Sequence, residues 1–211
     1  MTATLERTRV TIDLEGGCCP DFATPLYTQL SSGAYTWPCS VMPLTGEWTS
    51  QHRTARKRAA RCFQDGYSFS RINRGDYTDD IHEINTSADE RQGRPMTAGY
   101  LERQEFSTLP DYPCERHCIR TYGVTDPGDG RLRAYTWVYR SGDLVMFSSI
   151  LGHADHLAAH VMYLLVQGVL ADQLHAGPGI AFYNKHDGGT LGLVFFKERL
   201  GFKPCEVAWS L

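Results

Sequence analysis

The run Asp143-Leu-Val-Met-Phe-Ser-Ser149-Ile150-Leu151-Gly152-His153-Ala154, followed by the apolar stretch Leu157 to His175, decides how the rest of the chain is read. Asp143 to Ile150 is a strand-length apolar run. Leu157 to His175 sets Val161, Leu164, Leu165, Gly168 and Val169 in register on one helical face. A strand that stops at a glycine and hands over to a helix leaves backbone N–H groups aimed at one spot. Such a spot holds phosphate or another anion.

Working outward, Gly142 marks a turn into this strand, and His117 to Thr125 and Arg131 to Arg140 flank Asp126-Pro127-Gly128-Asp129-Gly130. Proline and glycines at that spacing specify a tight reversal, so the three strands form an antiparallel meander. Downstream lie a strand (Ile180 to Tyr183), a helix (Gly189 to Leu200) and a final strand (Cys205 to Trp209). Upstream, Thr8 to Leu14 alternates as an edge strand, whereas Gly16 to Trp48, with Pro20, Pro25, Pro38 and Pro43, reads as irregular with a short helix near Pro25 to Leu30. A helix over Ser50 to Phe63, capped by Thr49 or Ser50, a strand over Tyr67 to Ile72, and helices over Asp76 to Thr86 and Thr97 to Arg103 complete the order. It argues for an α+β fold with a mixed central sheet.

At 211 residues and 42% hydrophobic content, the chain can bury a full core in one domain. The division expected is an N-terminal extension, residues 1–65, packed on a domain of residues 66–211. A formal net charge of -3 gives no overall pull toward nucleic acid. No run approaches the roughly 18 to 20 apolar residues of a membrane span, and the N-terminus lacks a secretory pattern, so a cytoplasmic protein without membrane contact is expected. Seven cysteines fit reduced thiols better than a disulfide framework. Cys114-x-x-His117-Cys118 has no second ligand pair at finger-like spacing, so no metal is expected.

The element order resembles that of the GNAT N-acetyltransferase superfamily, and Gly152-His153-Ala154 is similar to the Gly-x-Ala that follows that family's fourth strand. Lys197-Glu-Arg-Leu-Gly201-Phe202 resembles its closing helix, which runs into Gly-Phe and a last strand. The likeness covers about residues 66–211 and implies a GNAT fold in which the turn at Ile150, Leu151, Gly152, His153 and Ala154, with Phe196, binds the acyl donor. Two positions depart from the pattern. Ser149 stands where a glutamine or arginine precedes the glycines, and Lys197 stands where many members carry a tyrosine that protonates the departing thiolate. In addition, Gly192-Leu193-x-x-Phe196-Lys197 resembles a signature of the Fem-type ligases, relatives that transfer an aminoacyl group from tRNA.

Forming an amide from an activated ester needs a neutral amine, a route for its proton, donors for the oxyanion and an acid for the leaving group. Lys197, Asp187, His186 and Ser149 are the candidate catalytic residues, the oxyanion donor being backbone near Ser149 to Leu151. Tyr183, Tyr135, Arg91 and Arg94 are candidates to hold the acceptor, a small-molecule or peptide amine. Arg53, Arg56, Lys57, Arg58 and Arg61 put five charges within three turns, enough to contact phosphates of a tRNA, although the same pattern fits a solvated face. Three readings stay open: an aminoacyl-tRNA-dependent acyltransferase, an acetyl- or acyl-CoA-dependent N-acetyltransferase, and a non-catalytic RNA-binding module. The donor in the first two is a co-substrate rather than a tightly bound cofactor. Monomer and homodimer are both compatible with the sequence.

Overall fold

The computed structural model describes residues 8–33, 35, 38–112 and 114–211, with Thr49 as backbone only. Its elements are β1 (Arg9–Asp13), α1 (Pro20–Leu30), β2 (Cys39–Leu44), α2 (Arg53–Gln64), β3 (Ser68–Arg71), α3 (Thr78–Thr86), a short pair β4 (Glu90–Arg91) and β5 (Arg94–Pro95), and α4 (Ala98–Leu101). Then come β6 (His117–Thr125), β7 (Leu132–Ser141), β8 (Leu144–Gly152), α5 (Val161–His175), β9 (Gly179–Lys185), α6 (Leu191–Leu200) and β10 (Lys203–Ser210). Eight strands make one sheet in the order β1-β10-β2-β9-β8-β7-β6-β3. The meander β6-β7-β8 is antiparallel as expected, while β8-β9 and β1-β10 are parallel, so the sheet is mixed.

Period-2 alternation along the strands sorts the core into layers. On β7, Ala134 and Val138 face one side and join α2, α5 and α6 in the largest cluster, whereas Tyr135 and Trp137 face the other side with α3. On β9, Ala181 and Tyr183 face the first side, and Ile180 and Phe182 face α1. Helices therefore cover both faces.

Among the described residues before position 66, β1 and β2 are strands of the sheet itself. β2 occupies an interior position between β10 and β9, and β1 forms the outer edge beside β10. Within the stretch expected to be irregular, β2 was hidden by Pro38 and Pro43; Pro43 pairs with Ile180 near the end of the strand. The helix expected from Ser50 begins at Arg53, because His52 caps it in a left-handed conformation (φ 56°) and the Ser50 hydroxyl instead donates to Glu47 O. Ala55, Ala59 and Cys62 form its buried stripe against α5. Among the described residues no helix is long and apolar enough to cross a membrane.

Two polar anchors fix α5 and the chain that follows it. At its C-terminal end, Asp172 accepts from Tyr122 Oη (2.6 Å) and pairs with Arg71 (2.9 Å), while Gln173 donates to Tyr122 Oη (2.7 Å). Beyond it, the fully buried Arg140 donates to Pro178 O (2.7 Å), and burial lowers its pKa to about 10.

Close approach of β3 to α5 depends on Gly168. A β-carbon there would meet the ring of Phe69 at 2.5 Å, and that ring is stacked on Tyr122 at 5.6 Å. Alanine gains about 1 kcal/mol of helix propensity over glycine, and overpacking a core costs about 1 to 3 kcal/mol. Gly168→Ala is therefore expected to lower stability by up to about 2 kcal/mol in urea unfolding, the overpacking cost less the propensity gain. Phe69→Ala is expected to remove most of that increment in a double-mutant cycle.

Candidate functional site

The cleft begins where β8 and β9 part. These parallel strands pair at Leu144–Ile180, Val145–Ala181 and Met146–Phe182, and their ladder ends there. Between Thr136 and Val138 β7 advances two residues while β8 advances three, from Phe147 to Ile150, so β8 carries a bulge at Ser148 and Ser149. A bulge bends its strand and increases the local twist. Beyond Met146 the β9-facing edge of β8 therefore opens onto a cleft of about 770 Å³.

Its apolar lining includes Phe147, Ile150, Leu151, Met162, Leu193 and Phe196. Tyr183 forms part of the wall, its ring stacked on Phe147 at 5.5 Å. Polar groups gather at the mouth. Arg94 and Lys185 are exposed there, with Glu90 and Asn184 beside them.

Lys197 is 1% exposed, yet it lines the cleft. It sits one turn before the left-handed cap Gly201 of α6, where its Nζ donates to Lys185 O and lies 5.0 Å from the Tyr183 ring centroid. Burial lowers its pKa from 10.5 to about 8, and the Asp187 carboxylate and Cys39 oppose that shift. It is therefore a cation at neutral pH that yields its proton readily.

The Gly152 turn is organised differently from the sequence expectation. Its N–H groups are already engaged inside the protein: His153 N donates to Arg133 O (2.7 Å), Ala154 N to Ser87 Oγ (3.0 Å), Asp155 N to His153 Nδ1 (3.3 Å) and His156 N to His153 O (3.1 Å). A 3-10 segment, Ala154–Ala159, separates the strand from α5, so the turn does not present the N-terminus of that helix. Arg91 locks the arrangement by donating to Gly152 O (2.8 Å), Ile84 O (2.7 Å) and Ser87 Oγ (2.8 Å).

Of the residues singled out from sequence, Lys197, Ile150, Leu151, Gly152, Ala154, Phe196, Tyr183, Arg91 and Arg94 share this cleft. Others lie outside its lining. Ser149 is half-buried in the bulge. His153 stands 3.5 Å from Glu83, and the neighbouring His156 stands 2.8 Å from Tyr67 Oη. Tyr135 donates to Asn85 Oδ1 (2.7 Å). His186 is buried at 3.0 Å from Ser40 Oγ, where burial and then Lys197 lower its pKa. Asp187 is exposed beyond it. The sequence reading missed Lys185, Asn184, Glu90, Tyr100 and Met162. Asn184 alone left a local signal, being a residue type that accepts the left-handed conformation (φ 54°) it adopts at the strand end.

The α2 cations divide. Arg53, Lys57 and Arg61 are exposed, the last paired with Asp65 at 3.0 Å, and Arg56 donates to Ser50 O. Arg58 lies over the Tyr163 ring (5.0 Å) and donates to its hydroxyl (2.7 Å). Tyr163 in turn meets Phe196 at 4.8 Å. The basic helix thus stands two side chains from the cleft.

No protein-family model matches the sequence, and no curated protein matches it. Solved structures do match the fold. FemX aligns with a TM-score of 0.63 at 11% identity, covering 83% of this chain and 61% of its own. The C-terminal domain of an Agrobacterium fabrum protein described as a lysylphosphatidylglycerol synthetase aligns with 0.54 at 12%, covering 85% and 62%. A tandem GNAT protein from the clavulanic acid biosynthesis pathway aligns with 0.50 at 13%, covering 87% and 55%. The chain thus spans about three fifths of the length of the first two. With its mixed sheet, its parted parallel strands and these likenesses, the chain has the GNAT fold.

Proposed function

We propose that the chain forms amides by moving an aminoacyl group from tRNA onto the amine of a small molecule or peptide. The observation that carries this reading is the closed turn at Gly152. In a coenzyme A-dependent transferase of this fold the turn's N–H groups are expected to receive a pyrophosphate, whereas here four successive N–H groups have partners within the protein. The likeness of the fold to FemX, the Gly-Leu-x-x-Phe-Lys segment at 192–197 and the exposed cations of α2 support the same donor.

The chemistry follows from the cleft. The acceptor nitrogen attacks the ester carbonyl, a C–N bond forms, and the oxyanion is met by backbone N–H on the parted edge of β8. As the C–O bond to the ribose breaks, the Lys197 ammonium gives its proton to the departing oxygen and recovers one from the attacking nitrogen. Net, one proton passes from amine to ribose hydroxyl. An acid whose pKa lies near working pH suits both transfers. Asp187, outside the lining, keeps Lys197 charged by its field.

A coenzyme A donor is the second reading, and one feature favours it: Arg94 and Lys185 at the mouth can take phosphate. Titration with acetyl-CoA in a calorimeter is expected to give no heat at high micromolar ligand, while charged tRNA plus candidate amines gives amide product that ribonuclease abolishes. Heat with acetyl-CoA, or product indifferent to ribonuclease, overturns the tRNA reading. No amide product with any charged tRNA and amine, together with tRNA binding that α2 variants lose and Lys197 variants keep, would favour a non-catalytic RNA-binding role.

Lys197→Met is expected to slow transfer by about 10² to 10⁴-fold. The wild-type rate is expected to fall above pH about 8 as Lys197 loses its proton. Stability moves the opposite way. Because the folded pKa lies below the unfolded 10.5, the unfolded chain binds more protons between those values, and wild-type stability rises with pH across that window. Lys197→Met relieves about 3 kcal/mol at pH 7 but leaves Lys185 O unpaired at a cost of about 1 to 2 kcal/mol, so it is expected to gain roughly 1 to 2 kcal/mol, a gain that is gone above pH about 10.5.

Reversing Arg53 and Lys57 to glutamate is expected to raise KM for charged tRNA about tenfold. It would flatten the dependence of log KM on log salt by between about 1 and 2 and leave kcat unchanged.

A further inference from the structure

Cys114 and His117, which the sequence leaves without a second ligand pair, meet Cys18 and Cys19 from the loop between β1 and α1. The four ligand atoms lie within 4.8 Å of one another. Cys18 Sγ to Cys114 Sγ is 3.7 Å, and each of these sulfurs is 3.4 Å from His117 Nδ1. A tetrahedral zinc ion, with sulfur at about 2.3 Å and imidazole nitrogen at about 2.0 to 2.1 Å, spaces its ligands about 3.8 Å apart for two sulfurs and about 3.6 Å for sulfur and nitrogen. The observed spacings match. A disulfide would instead hold two of the sulfurs about 2.05 Å apart.

The surroundings are shaped for the same purpose. His117 Nε2 lies 3.1 Å from Leu14 O and can donate to it, which leaves Nδ1 with its lone pair toward the sulfurs. Gly142 N, 3.2 Å from the same Nε2, has Arg116 O as its own acceptor at 3.1 Å, so this tautomer orphans nothing. His117 N donates to Cys114 O (3.1 Å), closing the Cys-x-x-His turn. On the other strand of the site, Asp13 Oδ1 accepts from Glu15 N and Gly16 N, and Gly16 and Gly17 take positive φ, bending the chain back toward Cys18. Cys19 itself is held at φ 56°, strained for a residue with a side chain. Phe22 lies edge-on to His117 at 6.0 Å. Cys118 takes no part: its sulfur is buried and turned to Glu115 O.

We propose that Cys18, Cys19, Cys114 and His117 bind one Zn²⁺ as a structural centre. Four protein ligands close the coordination shell and leave no position for substrate. Three thiols give up their protons on binding, so the loaded centre carries one net negative charge. It joins the N-terminal segment to the start of β6, beside the β7–β8 turn. The cleft opens beyond Met146 and runs to Gly152 at the far end of β8, so its near edge begins three residues, roughly 10 Å, along that strand.

The test uses the full chain purified under reducing conditions. Elemental analysis is expected to find about one zinc per chain, retained through gel filtration. Stripped chain titrated with Co²⁺ is expected to develop the intense visible absorption of tetrahedral thiolate-bound cobalt, displaced by zinc. Cys114→Ser and Cys18→Ser are expected to lose the metal, while Cys205→Ser keeps it; chelation is expected to lower the thermal midpoint of wild type by several degrees. Should the serine variants fail to fold, the cobalt titration of wild type decides. The proposal is overturned by wild-type chain that neither retains zinc nor gives the tetrahedral cobalt spectrum, by an equivalent of iron at these ligands, by a disulfide between Cys18 and Cys114 recovered from the native chain, or by full zinc content in Cys114→Ser.

Discussion

The whole arrangement depends on two parallel strands that agree for three residue pairs and then part. β8 is held along its length by β7, and β9 is held by β2 from Leu44–Gly179 to Cys39–Lys185. Each half-sheet is thus firm on its outer side, and only Leu144–Ile180 to Met146–Phe182 join them. The extra residue in β8 at Ser148 and Ser149 turns the join into a wedge. Its apex is reinforced by groups outside the ladder: Ile180 N donates to Asp143 O (2.7 Å), Asp143 N to Asp13 O (2.8 Å), and Arg140 holds Pro178 O. A cleft follows from this geometry without any side chain having to create it.

What the wedge encloses is decided by a conflict between burial and charge. Lys197 is placed among Tyr183, Phe147 and Phe196, where an ammonium loses most of its water. The Lys185 carbonyl, the Tyr183 face and the more distant Asp187 and Cys39 compensate in part, so its proton is loosely held. The same opening that frees β8 backbone groups also frees Lys185 O from a ladder partner on β8, so the lysine has an acceptor because the strands have parted. Meanwhile the Gly152 turn, at the end of the parted strand, is pulled toward α3 through Ser87, Arg91 and Ile84. Cation and turn are therefore positioned by opposite walls.

Local pattern explains which parts of this were legible. The meander was readable from its tight Pro-Gly reversal, and α5, α6 and β10 from apolar runs bounded by glycine or proline. β2 was not, since Cys39-Ser-Val-Met-Pro-Leu44 is short, flanked by prolines and pairs with residues more than 130 positions away. Lys197 could be singled out by its motif, but its burial could not, because the surface that covers it comes from β9 and β8. The turn at Gly152 looked like an open cradle for the same reason: its partners, Ser87 and Arg133, arrive from other elements. Cys18 reaches Cys114 across 96 residues. Sequence spacing carries ligand geometry only when one local turn supplies the ligands.

The apex shows why the N-terminal segment belongs to the fold rather than decorating it. After β1 the chain crosses the β7–β8 turn so closely that a β-carbon on Gly142 would meet Asp13 O at 2.5 Å and Leu14 C at 2.8 Å. Gly142 is also at φ 54°, so no other residue type fits both the space and the turn. Leu14 O then accepts from Ser141 Oγ (2.7 Å), and Asp13 O from Asp143 N. These bonds fall on Ser141, which ends β7, and on Asp143, in the turn before β8, whose carbonyl accepts from Ile180 N at the apex. Any force that loosens the loop from Asp13 to Cys19 acts on the hinge of the wedge before it acts on the cleft. The loop braces the joined end of β8 and β9, while the bulge at Ser148 and Ser149 parts them beyond it.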